Sequence, residues 1–364
     1  MKILLSGGGS AGHINPAVAI AKYALGEDSK NEVLFVGTKK GLERTLVPQE
    51  GFDIKYVNVE GLSTKPTLKN AVSACKMAVA VAKSAAIIKK FKPDVVVGTG
   101  GYVCVSSVLA AHMMKIPTLI HEQNVFAGSA VKFLSNKADI TAISFDESRK
   151  YLKGAKNIIL TGNPVRPSIM RQSRADARRA IGVGGRKFVV SFGGSLGANR
   201  INDVMTEFAK QNQNSDMLIY IASGSRDYDR VLAKMKEENI SLNGNVKLLK
   251  YIDNMDVVMN AADLAVCRSG AITLAELCAI GKPSVLIPSP NVTNNHQEYN
   301  ARALSDGGAA ITICEKDFNI QTLTKAVYSV IYDDKKYTEM SQCAKDMGIT
   351  DATAKIYKAM QEIC

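Results

Sequence analysis

The chain has 364 residues, 46% hydrophobic and 22% charged, and this length suggests about two domains. The composition excludes a disordered, collagen-like or coiled-coil protein, and no uncharged apolar run approaches the ~20 residues of a membrane-spanning helix. The N-terminal apolar run, Ile3–Leu5, is too short for a signal peptide, so we expect a cytoplasmic protein. Seven cysteines without a CxxC pair fit that compartment and argue against a thiolate metal site.

The net charge is +12, and most of the basic excess lies in the first half of the chain. Residues 1–162 hold 21 basic and 12 acidic side chains, whereas residues 163–364 hold 25 and 22. The segment Lys65–Lys92 contains seven lysines and no acidic residue. The positive potential of such a segment attracts a polyanion or an anionic membrane surface. Aromatic residues are few and no zinc-finger or RNA-binding signature is present, so nucleic acid is not expected as a partner.

Short β-branched runs alternate with amphipathic helical stretches along the whole chain. This pattern is typical of parallel sheets that are covered by helices on both faces. The predicted strands are Ile3–Leu5, Val33–Val36, Val95–Val97, Thr118–Ile120, Phe188–Ser191, Leu218–Ala222, Leu264–Cys267 and Ser284–Ile287.

The strand-to-glycine pattern of the N-terminus restarts midway along the chain. Ile3–Ser6 runs into three glycines, Val189–Phe192 runs into two, and the segment GNPVRP at residues 162–167 predicts a linker between them. We therefore predict an α/β protein with two Rossmann-like, doubly wound parallel-sheet domains facing across a cleft, residues 1–162 and 163–343. Ligands are expected at the carboxyl ends of the strands, and a last helix, about 344–364, is expected to pack back on the first domain.

The first glycine loop, Gly7–His13, is suited to bind phosphate. Asn15 is predicted to cap the next helix and Pro16 to lie in its first turn. The loop also spells G-x-G-x-x-G, but no acid directly follows the strand Val33–Val36, so a nicotinamide dinucleotide is not favoured. His13 at the mouth of the loop is a candidate general base.

Five further segments carry candidate site residues. Gly98–Tyr102 either holds a second phosphate or makes a tight turn, and the polar run His121–Asn124 is predicted to face the cleft. Gly193–Ala198 suits a nucleotide diphosphate, and Glu276 either accepts hydrogen bonds from a ribose diol or is simply solvated. The polar cluster Asn295–Asn300 either binds sugar hydroxyls or caps a helix.

Seven segments in this order and spacing make the chain resemble a known family: GGGSAGHINP, GTGGYV, HEQN, GNPVR, SFGGSLGA, CRSGAITLAE and NHQEYNA. They resemble the bacterial peptidoglycan N-acetylglucosaminyltransferases, GT-B enzymes of glycosyltransferase family 28 with two Rossmann domains. The resemblance implies inverting transfer of N-acetylglucosamine from UDP-N-acetylglucosamine to the 4-hydroxyl of undecaprenyl-diphospho-N-acetylmuramoyl-pentapeptide (lipid I). The product would be lipid II, a peptidoglycan precursor.

The resemblance also implies which residues bind each substrate. The acceptor diphosphate would contact Ser10, Ala11, Gly12, Gly100, Gly101 and Tyr102. The donor would contact Asn124, Arg166, Ser195 (phosphate), Ile252 (uracil), Ala271, Ile272, Thr273, Glu276 (ribose), His296 and Gln297. The first loop departs from the family's GGTGGH at Ser10 and Ala11, and Asn15 stands where an aromatic residue is common.

An inverting transfer needs one in-line displacement and one base, for which His13 is the first choice and Glu122 the second. No acidic DxD pair stands beside a glycine loop, so no bound metal or other cofactor is expected, while stimulation by added divalent cations stays open.

The resemblance further implies a peripheral protein at the cytoplasmic face of the cell membrane, with cell-wall synthesis and division proteins as partners. The predicted helix Leu68–Phe91, with Lys69, Lys76 and Lys83 on one stripe, is the expected membrane contact. Two alternatives remain. A UDP-N-acetylglucosamine 2-epimerase would not need GTGGYV or the lysine-rich segment, and a non-catalytic lipid-diphosphate binding protein would not need the donor residues.

Overall fold

The computed structural model describes residues 1–60, 68–194, 197–242 and 244–364, with the side chains of residues 68–72 outside the description. The chain divides into two compact units. The first unit comprises Met1–Pro164 and Thr350–Cys364, and the second comprises Val165–Ile349. The division therefore lies close to the predicted linker, and the chain returns to the first unit at Thr350 rather than at residue 344.

The first unit is built on a seven-stranded parallel sheet with the order β3-β2-β1-β4-β5-β6-β7. Its strands are β1 (Lys2–Gly7), β2 (Glu32–Thr38), β3 (Ile54–Val57), β4 (Val95–Gly100), β5 (Thr118–Glu122), β6 (Ile140–Ile143) and β7 (Ile158–Leu160). The order reverses between β1 and β4. In doubly wound sheets such a switch point opens a crevice at the carboxyl ends of the strands, where ligands bind.

Helices cover both faces of this sheet. They are α1 (Ala11–Glu27), α2 (Glu43–Gln49), α3 (Leu68–Phe91), α4 (Gly101–Met113), α5 (Ser129–Leu134) and α15 (Ala352–Ile363). Strand β4 explains the layering, because Val95 and Val97 pack into the core on the side of α1, whereas Val96 packs into the core on the side of α3 and α4. A strand buried on both faces needs an uninterrupted apolar run, which is the reason for three consecutive valines.

Helix α15 closes the first unit. Its Ile356 and Met360 are fully buried in the core beside α1, and Asn31 Nδ2 donates a hydrogen bond to the Tyr357 hydroxyl at 3.0 Å. The preceding helix belongs to the second unit, so the predicted returning segment 344–364 begins too early.

The second unit repeats the plan with a six-stranded parallel sheet of order β10-β9-β8-β11-β12-β13. Its strands are β8 (Lys187–Phe192), β9 (Met217–Ala222), β10 (Val246–Leu249), β11 (Leu264–Cys267), β12 (Ser284–Leu286) and β13 (Ala310–Thr312). Its helices are α6 (Pro167–Arg171), α7 (Arg174–Ile181), α8 (Asn199–Asn212), α9 (Tyr228–Glu237), α10 (Met255–Ala261), α11 (Ala271–Ala279), α12 (His296–Asp306), α13 (Ile320–Ile331) and α14 (Asp334–Asp346). The switch point lies between β8 and β11.

All eight predicted strands are present, and the prediction of two doubly wound parallel sheets is confirmed. Five strands were missed: β3, β6, β7, β10 and β13. Four of them are edge strands. An edge strand is short and partly solvated, so its sequence carries polar residues, such as Lys55 in β3 and Lys247 in β10, that hide the apolar run. In the described part of the chain, no helix combines the length and apolar character needed to cross a bilayer.

Candidate active site

Two glycine loops meet at the switch point of the first unit. One follows β1 and leads into α1, and the other follows β4 and leads into α4. The Gly8 amide donates a hydrogen bond to the Gly100 carbonyl at 3.3 Å. A Cβ on Gly101 would lie 2.4 Å from the Gly8 carbonyl oxygen, and Gly101 has φ +78°, so only glycine fits. The close contact of the two loops is the reason why both are glycine-rich.

His13 lies in the first turn of α1 with its ring against the second loop. Its Nδ1 is 3.0 Å from the Gly8 carbonyl oxygen and 3.3 Å from Ser10 Oγ. A Cβ on Gly100 would approach the imidazole to 2.6 Å, and Thr99 Oγ1 donates to the His13 carbonyl at 2.7 Å. Because a carbonyl only accepts, Nδ1 carries the hydrogen in this contact and Nε2 is the basic nitrogen.

The predicted acceptor residues line this junction. Ser10 is the N-cap of α1, Ala11 and Gly12 form its exposed first turn, and Tyr102 lies exposed at the start of α4. The prediction that Asn15 caps this helix is wrong. The cap is Ser10, five residues earlier, so the helix begins at Ala11 and Pro16 lies inside it. The N-terminus of α1 therefore lies within the first glycine loop, and a helix N-terminus favours an anion.

A buried carboxylate that was not predicted supports the first loop. Glu43 opens α2, its Oε2 accepts from the Gly9 amide at 3.0 Å, and its Oε1 accepts from the Thr38 amide and hydroxyl. Burial raises the pKa of Glu43, but these hydrogen bonds outweigh it, so the pKa lies below its usual value. Glu43 does not follow β2 directly, because residues 39–42 separate it from the end of that strand at Thr38.

The polar run at the end of β5 does not behave as predicted. His121, Glu122 and Gln123 are buried, so the expectation that all four residues of the run face a cleft is wrong for these three. His121 Nε2 lies 3.0 Å from the Gly162 carbonyl and Gln123 Nε2 donates to the Thr99 carbonyl at 2.9 Å. Burial lowers the pKa of His121 to about 4, so it is neutral at physiological pH. The side chains of His121 and Gln123 therefore hold the backbone at Gly162 and Thr99 in place.

Glu122, the second candidate base, is tied to the backbone that follows it. Its Oε1 accepts from the Asn124 amide at 2.9 Å and its Oε2 from the Gly128 amide at 2.7 Å. Burial raises the pKa of Glu122 above its usual value, although these hydrogen bonds act to lower it. Asn124, the predicted donor residue, is only partly buried, and its side-chain amide also donates to Glu122 Oε1 at 3.2 Å.

The second unit carries all the predicted donor residues except Asn124, most of them around the switch point between β8 and β11. The loop after β8 contains Ser195, which lies outside the described residues. A Cβ on Gly197, with φ +86°, would lie 2.1 Å from the Ser223 carbonyl oxygen, so this loop also depends on glycine. Helix α8 begins directly after this loop, at Asn199.

The loop after β11 leads into α11, whose first turn is Ala271, Ile272 and Thr273. Ser269 Oγ donates to the Gln297 carbonyl at 2.7 Å, which ties this loop to the start of α12. Gln297 Oε1 accepts from the Ser289 amide at 2.9 Å, and His296 Nδ1 lies 2.9 Å from the Thr293 carbonyl. The predicted sugar-binding residues therefore flank the N-terminus of α11.

Glu276 and Arg166 form a bidentate ion pair, although the sequence analysis assigned them separate donor contacts. Arg166 Nε donates to Glu276 Oε1 at 2.6 Å and its second guanidinium nitrogen donates to Oε2 at 2.9 Å. The Glu276 side chain is 6% exposed and that of Arg166 is 47% exposed. Nearby, Ile252 is buried while its neighbour Tyr251 is exposed. Each Glu276 oxygen keeps a second lone pair for a further donor.

No group of three or more His, Cys, Asp and Glu side chains within the described ranges is arranged to hold a metal ion. At both switch points a glycine-containing loop leads into a helix, an arrangement that suits an anion. Two doubly wound α/β units of this kind are the architecture of the GT-B class of proteins.

Comparison with known families gives the same class. Residues 3–143 match the glycosyltransferase family 28 N-terminal domain, and residues 188–362 match the glycosyltransferase family 28 C-terminal domain.

One relative, from Acetivibrio thermocellus, is 45% identical over 366 residues, covering 100% of this chain and 98% of the relative. It is named UDP-N-acetylglucosamine–N-acetylmuramyl-(pentapeptide) pyrophosphoryl-undecaprenol N-acetylglucosamine transferase. The crystal structure of Acinetobacter baumannii MurG superposes with a TM-score of 0.80 at 26% identity, covering 99% of each chain. This chain belongs to the MurG family of glycosyltransferases.

A UDP-GlcNAc 2-epimerase from Neisseria meningitidis also shares the fold, with a TM-score of 0.68 at 16% identity and complete coverage of both chains. At that identity the likeness concerns the fold alone. The family match therefore favours the transferase over the epimerase alternative.

Proposed function

We propose that this protein transfers N-acetylglucosamine from UDP-N-acetylglucosamine to lipid I, giving lipid II with inversion at the anomeric carbon. The observation that carries the proposal is the pair of glycine loops locked together by Gly8 and Gly101, beside His13. It supplies a phosphate-binding place in the first unit in addition to the nucleotide residues of the second. An epimerase acting on one sugar nucleotide needs only one such place, whereas a transferase with a diphosphate-linked acceptor needs two.

His13 is the proposed general base. Its Nε2 would take the proton of the acceptor 4-hydroxyl while that oxygen attacks the anomeric carbon and the bond to the UDP oxygen breaks. A positioned base is worth about 100- to 10,000-fold in rate. Glu122 remains the second choice of base, because it is buried and each of its oxygens accepts a hydrogen bond from a backbone amide. It would have to break these hydrogen bonds before it could accept a proton from the substrate.

Donor recognition is assigned to the second unit, while Asn124 of the first unit stays a predicted donor residue. The first turn of α11 and the loop with Ser195 would bind the diphosphate and stabilise the charge that develops on leaving UDP. Glu276 would accept hydrogen bonds from the ribose hydroxyls, and Arg166 would hold its carboxylate in place. The backbone at Ile252 would contact uracil, and His296 and Gln297 would contact the sugar.

We propose that the chemistry proceeds without a bound metal, because the leaving charge can be met by these amides. The test is the initial rate in excess EDTA, against the rate with added Mg²⁺. A rate within about fivefold supports the proposal, and complete loss with EDTA that Mg²⁺ restores contradicts it.

We also propose that the protein works at the cytoplasmic membrane surface, with the cell-wall synthesis and division machinery. Helices α3 and α4 run side by side, since Ser84 Oγ donates to Ser106 Oγ at 3.2 Å. Their outer surfaces present Val79, which is 68% exposed, and Met113, which is 69% exposed. Lys83, Lys89 and Lys90 add positive charge to the same helix face. Apolar side chains flanked by lysines suit an anionic bilayer surface.

The predicted lysine stripe needs revision. Lys76 Nζ pairs with Glu60 Oε1 at 2.7 Å, which neutralises its charge, and the side chain of Lys69 lies outside the described residues. The variant to test is therefore the charge reversal of Lys83, Lys89 and Lys90 to glutamate. Each lysine contributes ~1 kcal/mol near an anionic surface, and salt screens it within about 10 Å.

Sedimentation with phosphatidylglycerol vesicles at low salt measures this binding. We expect the wild type to pellet, the triple variant to stay in solution, and a control reversing Lys236, Lys325 and Lys335 of the second unit to pellet like the wild type. Equal pelleting of both triple variants, or of the wild type with neutral vesicles, contradicts the proposal. Transfer to a short-chain soluble acceptor should survive in both.

The experiment that tests the main proposal incubates the protein with UDP-N-acetylglucosamine and a lipid I analogue. A β-linked disaccharide product supports the transferase. Free N-acetylmannosamine or its UDP derivative would point to the epimerase, and binding of the lipid analogue without turnover would point to the non-catalytic alternative. Either of the last two results contradicts the proposal.

A further inference from the structure

Glu43 lies at the point where the loop after β1 and the loop after β2 meet. It is 1% exposed, and among the described residues no lysine, arginine or histidine pairs with it. Burial of an unpaired carboxylate is unfavourable unless hydrogen bonds satisfy its oxygens. Three glycines leave room for its side chain, since a Cβ on Gly8, Gly37 or Gly41 would lie 2.6, 2.6 or 2.1 Å from an atom of Glu43.

The hydrogen bonds of Glu43 are divided between the two loops. Oε1 accepts from the Thr38 amide at 2.9 Å and from Thr38 Oγ1 at 2.7 Å, so this oxygen is anchored to the end of β2. Thr38 Oγ1 in turn accepts from the Gly41 amide at 3.0 Å. Oε2 accepts from the Gly9 amide at 3.0 Å, which is the contact to the first glycine loop. A backbone amide bonded to a carboxylate makes a strong, directional hydrogen bond.

The Gly9 contact bears on His13 through one peptide unit. The Gly8 carbonyl belongs to the same peptide plane as the Gly9 amide, so fixing one end of the plane fixes the other. That carbonyl lies 3.0 Å from His13 Nδ1. Gly9 has φ +82°, and a Cβ on it would meet nothing within 4 Å, so no side chain packs against that side of Gly9.

We propose that Glu43 is a positioning residue that orients His13 for proton transfer through the Gly8–Gly9 peptide. By holding the Gly9 amide it aims the Gly8 carbonyl at His13 Nδ1, which keeps the hydrogen on Nδ1 and leaves Nε2 as the base. The inference rests on the proposed function, because it takes His13 to be the base. It adds a carboxylate that acts on the histidine through the backbone instead of through direct contact.

The Glu43→Gln variant tests this with little change in shape. A glutamine has one acceptor oxygen, so if that oxygen stays on Thr38, the amide nitrogen faces the Gly9 N–H, where two donors oppose each other. We expect kcat to fall about 10- to 100-fold, because a small misplacement of a catalytic group costs that much. The Kd for UDP should stay within about twofold, since the nucleotide residues lie in the second unit.

The matched control is Glu50→Gln, the same change at the other end of α2, where the acid is partly exposed and pairs with Lys22. We expect it to leave kcat within about twofold. Amide exchange at Gly9 in ¹⁵N-glycine-labelled protein gives a readout independent of activity. It should accelerate at least about fivefold in Glu43→Gln and not in Glu50→Gln.

Variants of Thr38 keep the test decisive if Glu43→Gln does not fold. Thr38→Val removes the hydroxyl donor and should lower kcat and accelerate Gly9 exchange to a smaller degree, whereas Thr38→Ser keeps both donors and should behave like the wild type. A folded Glu43→Gln protein with wild-type kcat, or one with reduced kcat and unchanged Gly9 exchange, overturns the proposal. An active wild type with an equally active Glu43→Gln variant overturns only this inference, while an inactive wild type overturns the proposed function.

Discussion

In the first unit the switch-point loops are held by backbone contacts, whereas in the second unit the predicted ribose acceptor is held by a side-chain ion pair. Gly8 and Gly101 touch at a distance that excludes any Cβ, and the ring of His13 rests on Gly100. Glu276, by contrast, is oriented by two hydrogen bonds from a half-exposed arginine. The contact between the two glycine loops leaves no room for a larger residue at position 101. The Arg166–Glu276 ion pair, by contrast, can rearrange when a ligand forms hydrogen bonds with the carboxylate.

The difference suggests how each substrate is recognised. A diphosphate bound by amides needs the backbone fixed before it arrives, because amides reorient only if the chain moves. A ribose diol needs a single carboxylate at the right angle, which an ion pair supplies. Substitutions in the glycine loops of the first unit should therefore lower kcat by displacing the backbone. Substitutions of Arg166 or Glu276 in the second unit should instead weaken the binding of the donor.

His13→Ala is the substitution with the largest expected effect. If Nε2 of His13 takes the acceptor proton, turnover should fall about 100- to 10,000-fold, because the lost interaction exists only in the transition state. Steady-state kinetics with a soluble acceptor measure kcat, and calorimetry with UDP should find an unchanged Kd. His112→Ala, an exposed histidine of the same unit, is the control. Near-normal turnover in His13→Ala would remove it as the base and leave Glu122.

Gly101→Ala tests the contact between the two loops. The new Cβ would lie 2.4 Å from the Gly8 carbonyl oxygen, so the loops must separate, and a shift of about 1 Å costs on the order of 100-fold in turnover. Gly51→Ala is the matched control, because Gly51 has a similar φ of +85° and nothing within 4 Å. Both variants carry the strain of positive φ, and only Gly101→Ala should lose turnover. Equal losses would mean that backbone strain, and not the contact, matters.

Glu276→Ala should weaken UDP binding by about 1–3 kcal/mol, the usual cost of losing hydrogen bonds to a charged group. Calorimetry with UDP and with 2′,3′-dideoxy-UDP distinguishes the ribose contact from a general effect, since only UDP should lose affinity. If Arg166 acts through Glu276, then Arg166→Ala should add little in the Glu276→Ala background. Equal losses for both nucleotides, or full additivity, would refute these roles. Glu339→Ala, an exposed acid of α14, serves as the control.

The smallest effect concerns a buried lysine away from either site. Lys282 Nζ donates to the carbonyls of Asn260, at 3.3 Å, and Ala262, and burial, with the nearby Arg174, lowers its pKa from 10.5 to about 7. The unfolded chain binds the extra proton between pH 7 and 10.5, so this group makes the free energy of unfolding rise with pH over that window. The slope is at most about 1.4 kcal/mol per pH unit.

Urea unfolding of the wild type and Lys282→Met at several pH values measures this slope, which the variant should lose. His121 of the first unit provides the comparison, because its pKa falls from 6.5 to about 4 and its contribution therefore lies in a lower, separate window. A wild type with the same slope as the variant between pH 7 and 10 would show that Lys282 titrates normally.

The sequence was sufficient for all the interior strands except β6, for the two sheets and for the positions of the glycine loops, because uninterrupted apolar runs followed by glycines have few other interpretations. It was insufficient for the edge strands and for the polar residues around the loops. His121 and Gln123 were predicted as site residues because buried polar side chains are unusual, and only the structure shows that backbone groups satisfy them. Glu43 was missed for a related reason, since its partners, Gly9 and Thr38, come together only when the strands pair.

The measurement that tests the central claim most directly is amide hydrogen exchange of the intact protein with each substrate in turn. UDP should slow exchange in residues 268–276 of the second unit, around the start of α11. A soluble diphosphate acceptor analogue should slow exchange in residues 8–13 and 99–102 of the first unit. Protection of 8–13 by UDP with no change in 268–276, or the reverse for the acceptor analogue, would contradict the assignment of the two substrates to the two switch points.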